Sequence, residues 1–125
     1  MYQAGRCSSK CSGGVSKYTH ENHVSVPYAQ LDSNGFEDSV WTLINVSSSN
    51  SILFGNIYRS PNSSEENNSK SLELLALAKQ QTKITHLLVM GDFNMPEIDY
   101  NDCSVAGSDF SFPVRIFLIY HKICF

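Results

Sequence analysis

Leu87-Leu88-Val89-Met90-Gly91-Asp92-Phe93-Asn94 decides the reading of this chain: an apolar run stops at a glycine and then presents Asp-x-Asn. An unbroken apolar run of this length fits a short strand covered on both faces. Side chains alternate along extended chain, so Asp92 and Asn94 are expected on one side of the strand's open end. Phe93 then points the other way, into the core. A carboxylate and an amide held together there can share one substrate. Asp92 can take a proton from water or help hold a metal ion, and Asn94 offers both a donor and an acceptor. The same letters, with Pro96 behind them, also spell a strand followed by an Asx-type turn. Both readings stand at this level.

A second stretch has the same form. Ile52-Leu53-Phe54-Gly55-Asn56 runs into Ile57-Tyr58-Arg59-Ser60-Pro61-Asn62-Ser63, a strand whose polar end enters a Pro/Asn/Ser turn. Ser63 or Ser64 can cap the helix that follows, with Glu65 and Glu66 near its positive end. Leu72, Leu75, Ala76 and Lys79 fall on one helical face, and Leu74, Leu77 and Ala78 on an adjacent one. The spacing predicts a helix over 64–81. Strand 52–58, this helix and strand 86–91 make a β-α-β unit, which favours parallel pairing with a right-handed crossover. That places Tyr58 and Asp92 at one edge of the sheet, the carboxyl end, where open α/β sheets bind ligands.

Upstream, Val40 to Val46 is rich in β-branched and aromatic residues and reads as a strand. Ser47-Ser48-Ser49-Asn50 is its turn into Ser51–Tyr58, making a hairpin. His23-Val24-Ser25-Val26 alternates like a short strand, and 31–35 is turn-rich. Residues 1–12 are rich in Ser, Cys and Gly and read as irregular.

The phrases "FGNIYRSPNSS" and "LLVMGDFNMPEIDY" together resemble the endonuclease/exonuclease/phosphatase superfamily. Within it, they look like the endonuclease domain of non-LTR retrotransposons of the jockey and chicken-repeat kind. The resemblance implies an α/β (α+β) fold, part of a deoxyribonuclease-like four-layer α/β sandwich, over residues 13–112. A divergent apolar tail, 113–125, would follow. Gly13-Gly14-Val15 resembles the family's Gly-Gly-Val strand start, but Ser16 and Lys17 stand where small or apolar residues are expected, which implies a weakened strand.

The same resemblance implies metal-dependent phosphodiester hydrolysis with Mg2+ or Mn2+, and DNA as the ancestral substrate. Asp92 would orient or deprotonate the attacking water and is the one candidate metal contact. Asn94 would hold that water or the phosphate, Tyr58 would hydrogen-bond the scissile phosphate, and Asn62 would contact a phosphate oxygen. Arg59 reads as a solvated surface arginine, or as a screen for backbone charge. The family's upstream Asn and metal-binding Glu and its downstream Ser-Asp-His have no counterpart in this sequence. The expectation is therefore a fragment of a retrotransposon endonuclease that is inactive as this chain. The alternatives are a superfamily phosphatase acting on a small phosphate ester, and a non-catalytic binding remnant. A partial sandwich is also expected to leave an apolar sheet face uncovered.

Composition bounds these readings without choosing among them. The chain has 125 residues, 42% hydrophobic and 17% charged, as in an ordinary globular domain. A net charge of −3 and an isoelectric point near 5.7 argue against a general nucleic-acid binder. They do not argue against a nuclease, because bound cations can offset a substrate's charge. Cys7, Cys11, Cys103 and Cys124 lack paired metal-ligand spacing and read as reduced thiols. His20 and His23 form an isolated His-x-x-His, and His121 matches no motif. No secretory leader or bilayer-length apolar run is visible, so the expected location is intracellular, nuclear or cytoplasmic, with no membrane partner.

Overall fold

Ser39–Asn45 and Ser51–Tyr58 pair antiparallel from Ser39 opposite Ile57 to Asn45 opposite Ser51. The turn between them is closed by Val46 N–H donating to the Asn50 carbonyl at 2.9 Å. Around this hairpin, the computed structural model describes residues 2–4, 15–20, 24–36, 38–99, 101–102 and 104–106. In chain order these form β1 (Tyr2–Ala4), β2 (Val15–Lys17), β3 (Ser25–Pro27), a 3-10 turn (Ala29–Asn34), β4 (Ser39–Asn45), β5 (Ser51–Tyr58), α1 (Glu65–Lys79), β6 (His86–Asp92), β7 (Ile98–Asp99) and β8 (Ser104–Val105). The central sheet is four-stranded in the order β3-β4-β5-β6, with β5 and β6 parallel and the other pairs antiparallel. The chain is thus mixed α/β, and its described residues set one helix on a four-stranded sheet.

The helix begins where its sequence allows. Ser64 is the cap, its side chain accepting from Asn67 N–H at 3.2 Å, and Glu65 and Glu66 occupy the first turn. Its buried face is Ser71, Leu72, Leu74, Leu75 and Ala78. Ala76, Leu77 and Lys79 face outward, so the apolar stripe is narrower than the sequence suggests. It packs on Trp41, Leu53, Ile57 and Val89, with Leu31, Phe36, Met95 and Ile98 closing the margins. Gly55 makes this possible on β5, because a Cβ there would enter the Trp41 ring.

Two expectations change at the other face. Within the segment that reads as irregular, Tyr2–Ala4 pairs antiparallel with Val15–Lys17. The strand forms with Lys17 packed inside it, although burial works against its charge. Val15 and Lys17 are buried and Ser16 exposed, and Lys17 Nζ lies 3.8 Å from the centre of the Phe54 ring while donating to Thr42 Oγ1. The long aliphatic stem is packed, and ring and hydroxyl receive the charge. This ribbon meets the sheet at Thr42, Phe54 and Asn56, whose Nδ2 donates to the Ser16 carbonyl at 3.3 Å. On β6, Leu88 and Met90 remain 44% and 54% exposed. The apolar run of β6 is therefore covered on one face, not both, and among the described residues only β5 pairs with it.

The parallel pair needs Gly91. A Cβ there would collide with the Ile57 carbonyl oxygen, and Ile57 is its register partner. Gly91→Ala is expected to cost roughly 1–3 kcal/mol or more, as overpacking against rigid backbone does; urea denaturation of both chains measures it. A second expectation concerns pH. Burial pulls the Lys17 ammonium down from 10.5 to about 8. The folded chain then holds fewer protons than the unfolded one between those values, so stability rises with pH across that window. The thermal midpoint should climb from pH 8 to 10 relative to Lys17→Met, and parallel profiles would contradict this burial.

Candidate functional site

The parallel register sets Tyr58 opposite Asp92 at the last step of the β5–β6 ladder. Arg59 N–H donates to the Asp92 carbonyl at 2.8 Å, carrying the ladder one bond beyond the strand. Register partners in a sheet share a face, so both side chains emerge together, opposite the face of Ile57. Tyr58 is half-buried and Asp92 exposed. The two residues share the carboxyl edge, as the β-α-β reading requires.

Asn94 arrives by a different route than alternation. Extended chain ends at Asp92, and Asn94 adopts φ 47, the left-handed region that Asn tolerates better than most residues. Its N–H donates to Asp92 Oδ1 at 3.1 Å, which is the Asx-type turn. The turn reading and the juxtaposition of Asp92 with Asn94 are both realised, and the first produces the second. Asn94 Nδ2 donates to the Arg59 carbonyl at 2.7 Å. One of its two N–H donors thus fastens β5 to the turn, which leaves the other N–H for a water or a phosphate and the oxygen for a water. Phe93 packs against the core margin, on the side expected.

An open cleft of about 580 Å³ lies over this turn, lined by Pro61, Asp92, Asn94 and their neighbours from Gly91 to Pro96. Asn62 is exposed on the adjoining turn and is not part of that lining. Among the described residues the Tyr58 hydroxyl has no hydrogen-bond partner.

Arg59 is a correction. It is half-buried rather than solvated: Nη1 donates to the carbonyls of Phe93 at 3.2 Å and Asn94 at 2.9 Å, and Nε to Asn68 Oδ1 at 2.9 Å. Burial pulls its guanidinium below the ordinary value, and Glu97 opposes that. Asp38 is a residue that sequence reasoning missed. It is buried, and its carbonyl accepts from Tyr58 N–H at 2.9 Å. The hairpin register, continued one step beyond Ser39 opposite Ile57, would have set it beside Tyr58.

A hard cation such as magnesium requires several oxygen ligands in tight geometry. Asp92 is the one carboxylate lining the cleft, and among the described residues no three His, Cys, Asp or Glu side chains converge. The described donors do not make a magnesium or manganese site. His86 is exposed, 3.0 Å from Thr85 Oγ1. The four cysteines, His23, His121 and the tail 113–125 lie outside the described residues. No described helix is long and apolar enough to cross a membrane. Comparison with protein-family models, with curated proteins and with solved structures finds no match to this chain.

The double use of Asn94 can be measured. Asn94→Ala loses the bond to Arg59 and keeps an unfavourable φ, for a cost of roughly 1.5–3 kcal/mol. Asn94→Gly loses the same bond but relieves the backbone. Glycine should therefore be the milder substitution by denaturant midpoint, and equal midpoints would show that φ at this position carries no cost.

Proposed function

We propose that this chain carries the Tyr58, Asp92 and Asn94 part of a phosphodiesterase centre of the endonuclease/exonuclease/phosphatase type. Its ancestral form is a retrotransposon endonuclease that nicks DNA with magnesium, on a four-layer α/β sandwich, and acts inside the cell. We further propose that the set present here does not turn over by itself. One observation carries the reading: Tyr58 and Asp92, from two separate motifs, are register partners at the carboxyl ends of adjacent parallel strands. The unengaged phenol hydroxyl is in keeping with it.

The chemistry available to these residues is limited and specific. Tyr58 can donate its hydroxyl to a phosphate oxygen, and Asp92 can accept a proton from water. Asn94 can offer its amide oxygen to that water. No basic side chain lines the cleft, so a phosphodiester beside the Asp92 carboxylate is repelled except where cations in solution screen it. A missing oxyanion stabiliser alone costs about a hundredfold or more in rate. Groups that act as a unit lose most of the rate when one is removed. The expected outcome is recognition of a phosphodiester edge with no cleavage.

Two measurements check this. A short DNA duplex titrated in magnesium should shift the amide resonances of Tyr58, Asp92 and Asn94, and less so in Tyr58→Phe. The absence of any response at these residues would count against a phosphodiester site. Plasmid incubated with magnesium or manganese should show no nicking above that of Asp92→Ala. Nicking by the wild-type chain that disappears in the variant would establish an active endonuclease.

A further inference from the structure

We propose that Arg59 is the positioning residue of this edge: it clasps the Asp92–Asn94 turn to both β5 and α1, and so keeps Asp92 in place opposite Tyr58. The proposal rests on the reading of Tyr58 and Asp92 as a site, and adds a residue outside the expected catalytic set. Its guanidinium reaches two successive carbonyls of the turn, Phe93 at 3.2 Å and Asn94 at 2.9 Å, and the Asn68 side chain at 2.9 Å. Its own backbone completes the clasp. Arg59 N–H donates to Asp92 and Asn94 Nδ2 returns to the Arg59 carbonyl. The end of β5, the second turn of α1 and the turn after β6 are joined at one side chain.

The local problem is clear from the sheet. Among the described residues β6 pairs with β5 only, and the ladder that reaches its carboxyl end is the one with β5. Beyond Asp92 the chain leaves the ladder, and its backbone carbonyls need other partners. A short turn beyond the end of a strand belongs to the part of a protein that opens most easily. A site, however, needs its groups held to within about 0.5 Å. A planar, permanently charged fork can engage adjacent carbonyls and a third acceptor at once. A lysine ammonium on a flexible stem is a single point and cannot reproduce that geometry.

Amide hydrogen exchange in the full chain tests the clasp directly. Arg59→Ala should speed exchange of the residue 59 and Asn94 amides by about tenfold or more, the loss of hydrogen bonds to a charged group. Leu53 and Val89, mid-strand, should exchange at unchanged rates. Arg59→Lys should not restore protection, and Asn68→Ala, which removes only the tie to α1, should give a smaller increase. Unchanged exchange at Asn94 in Arg59→Ala would overturn the proposal, as would full rescue by lysine. Should Arg59→Ala unfold, Asn68→Ala decides: no increase at 59 or 94 overturns the clasp. The DNA duplex titration in magnesium separates this from the functional reading. A wild-type response at Asp92 that is lost in Arg59→Ala supports positioning, and one that is retained overturns it. No response in wild type counts against the phosphodiester site, and the exchange rates then judge the clasp by themselves.

Discussion

The parallel ladder between β5 and β6 is the constraint on which the rest depends. It closes only because Gly91 lets the chain pass against the Ile57 carbonyl without a Cβ between them. That approach fixes the register, and the register alone decides that Tyr58 stands opposite Asp92. A slip of one residue would turn Tyr58 to the helix-facing side and bury a phenol where Ile57 now fills the core. The helix is the other half of the same constraint. It spans the crossover with Leu74 and Leu75 almost fully enclosed against Leu53 and Ile57, so the two strands are held by packing as well as by hydrogen bonds.

Much of this was legible in the sequence, for reasons that are local. The β5 strand, the serine turn before it, the helix and β6 are all written in strong periodicities with punctuation at their ends. A serine cap, at Ser63 or Ser64, and the shared edge of Tyr58 and Asp92 follow from those signals and the handedness of β-α-β connections. Burial was less legible. Leu88 and Met90 look like core letters in a continuous apolar run, yet apolar text cannot say whether a covering layer is present on each face. Lys17 misled in the opposite sense. It reads as a misfit where a small or apolar residue is expected, and only the tertiary placement of Phe54 and Thr42 makes a packed position for it.

Arg59 was illegible for a related reason. A single arginine after a strand is usually solvated, and its partners here are backbone carbonyls more than thirty positions away. No pattern in a sequence announces a side chain that bonds to main chain at long range. Asp38 shares this difficulty, since its link to Tyr58 runs through its own carbonyl.

The same distinction separates the residues of the candidate site by what holds them there. Asn94 is required by the fold twice over, through its left-handed φ and through its bond to the Arg59 carbonyl. Asp92 accepts the Asn94 N–H and so helps form the turn. A Gly-Asp-Phe-Asn phrase would therefore be kept by folding alone, whether or not any chemistry occurs beside it. Tyr58 is different. It is half-buried, and its hydroxyl has no hydrogen-bond partner among the described residues. Of these three site residues, Tyr58 is the one whose side-chain polar atom takes no part in the described hydrogen bonds of the turn. The carboxylate and amide beside it speak first for the turn.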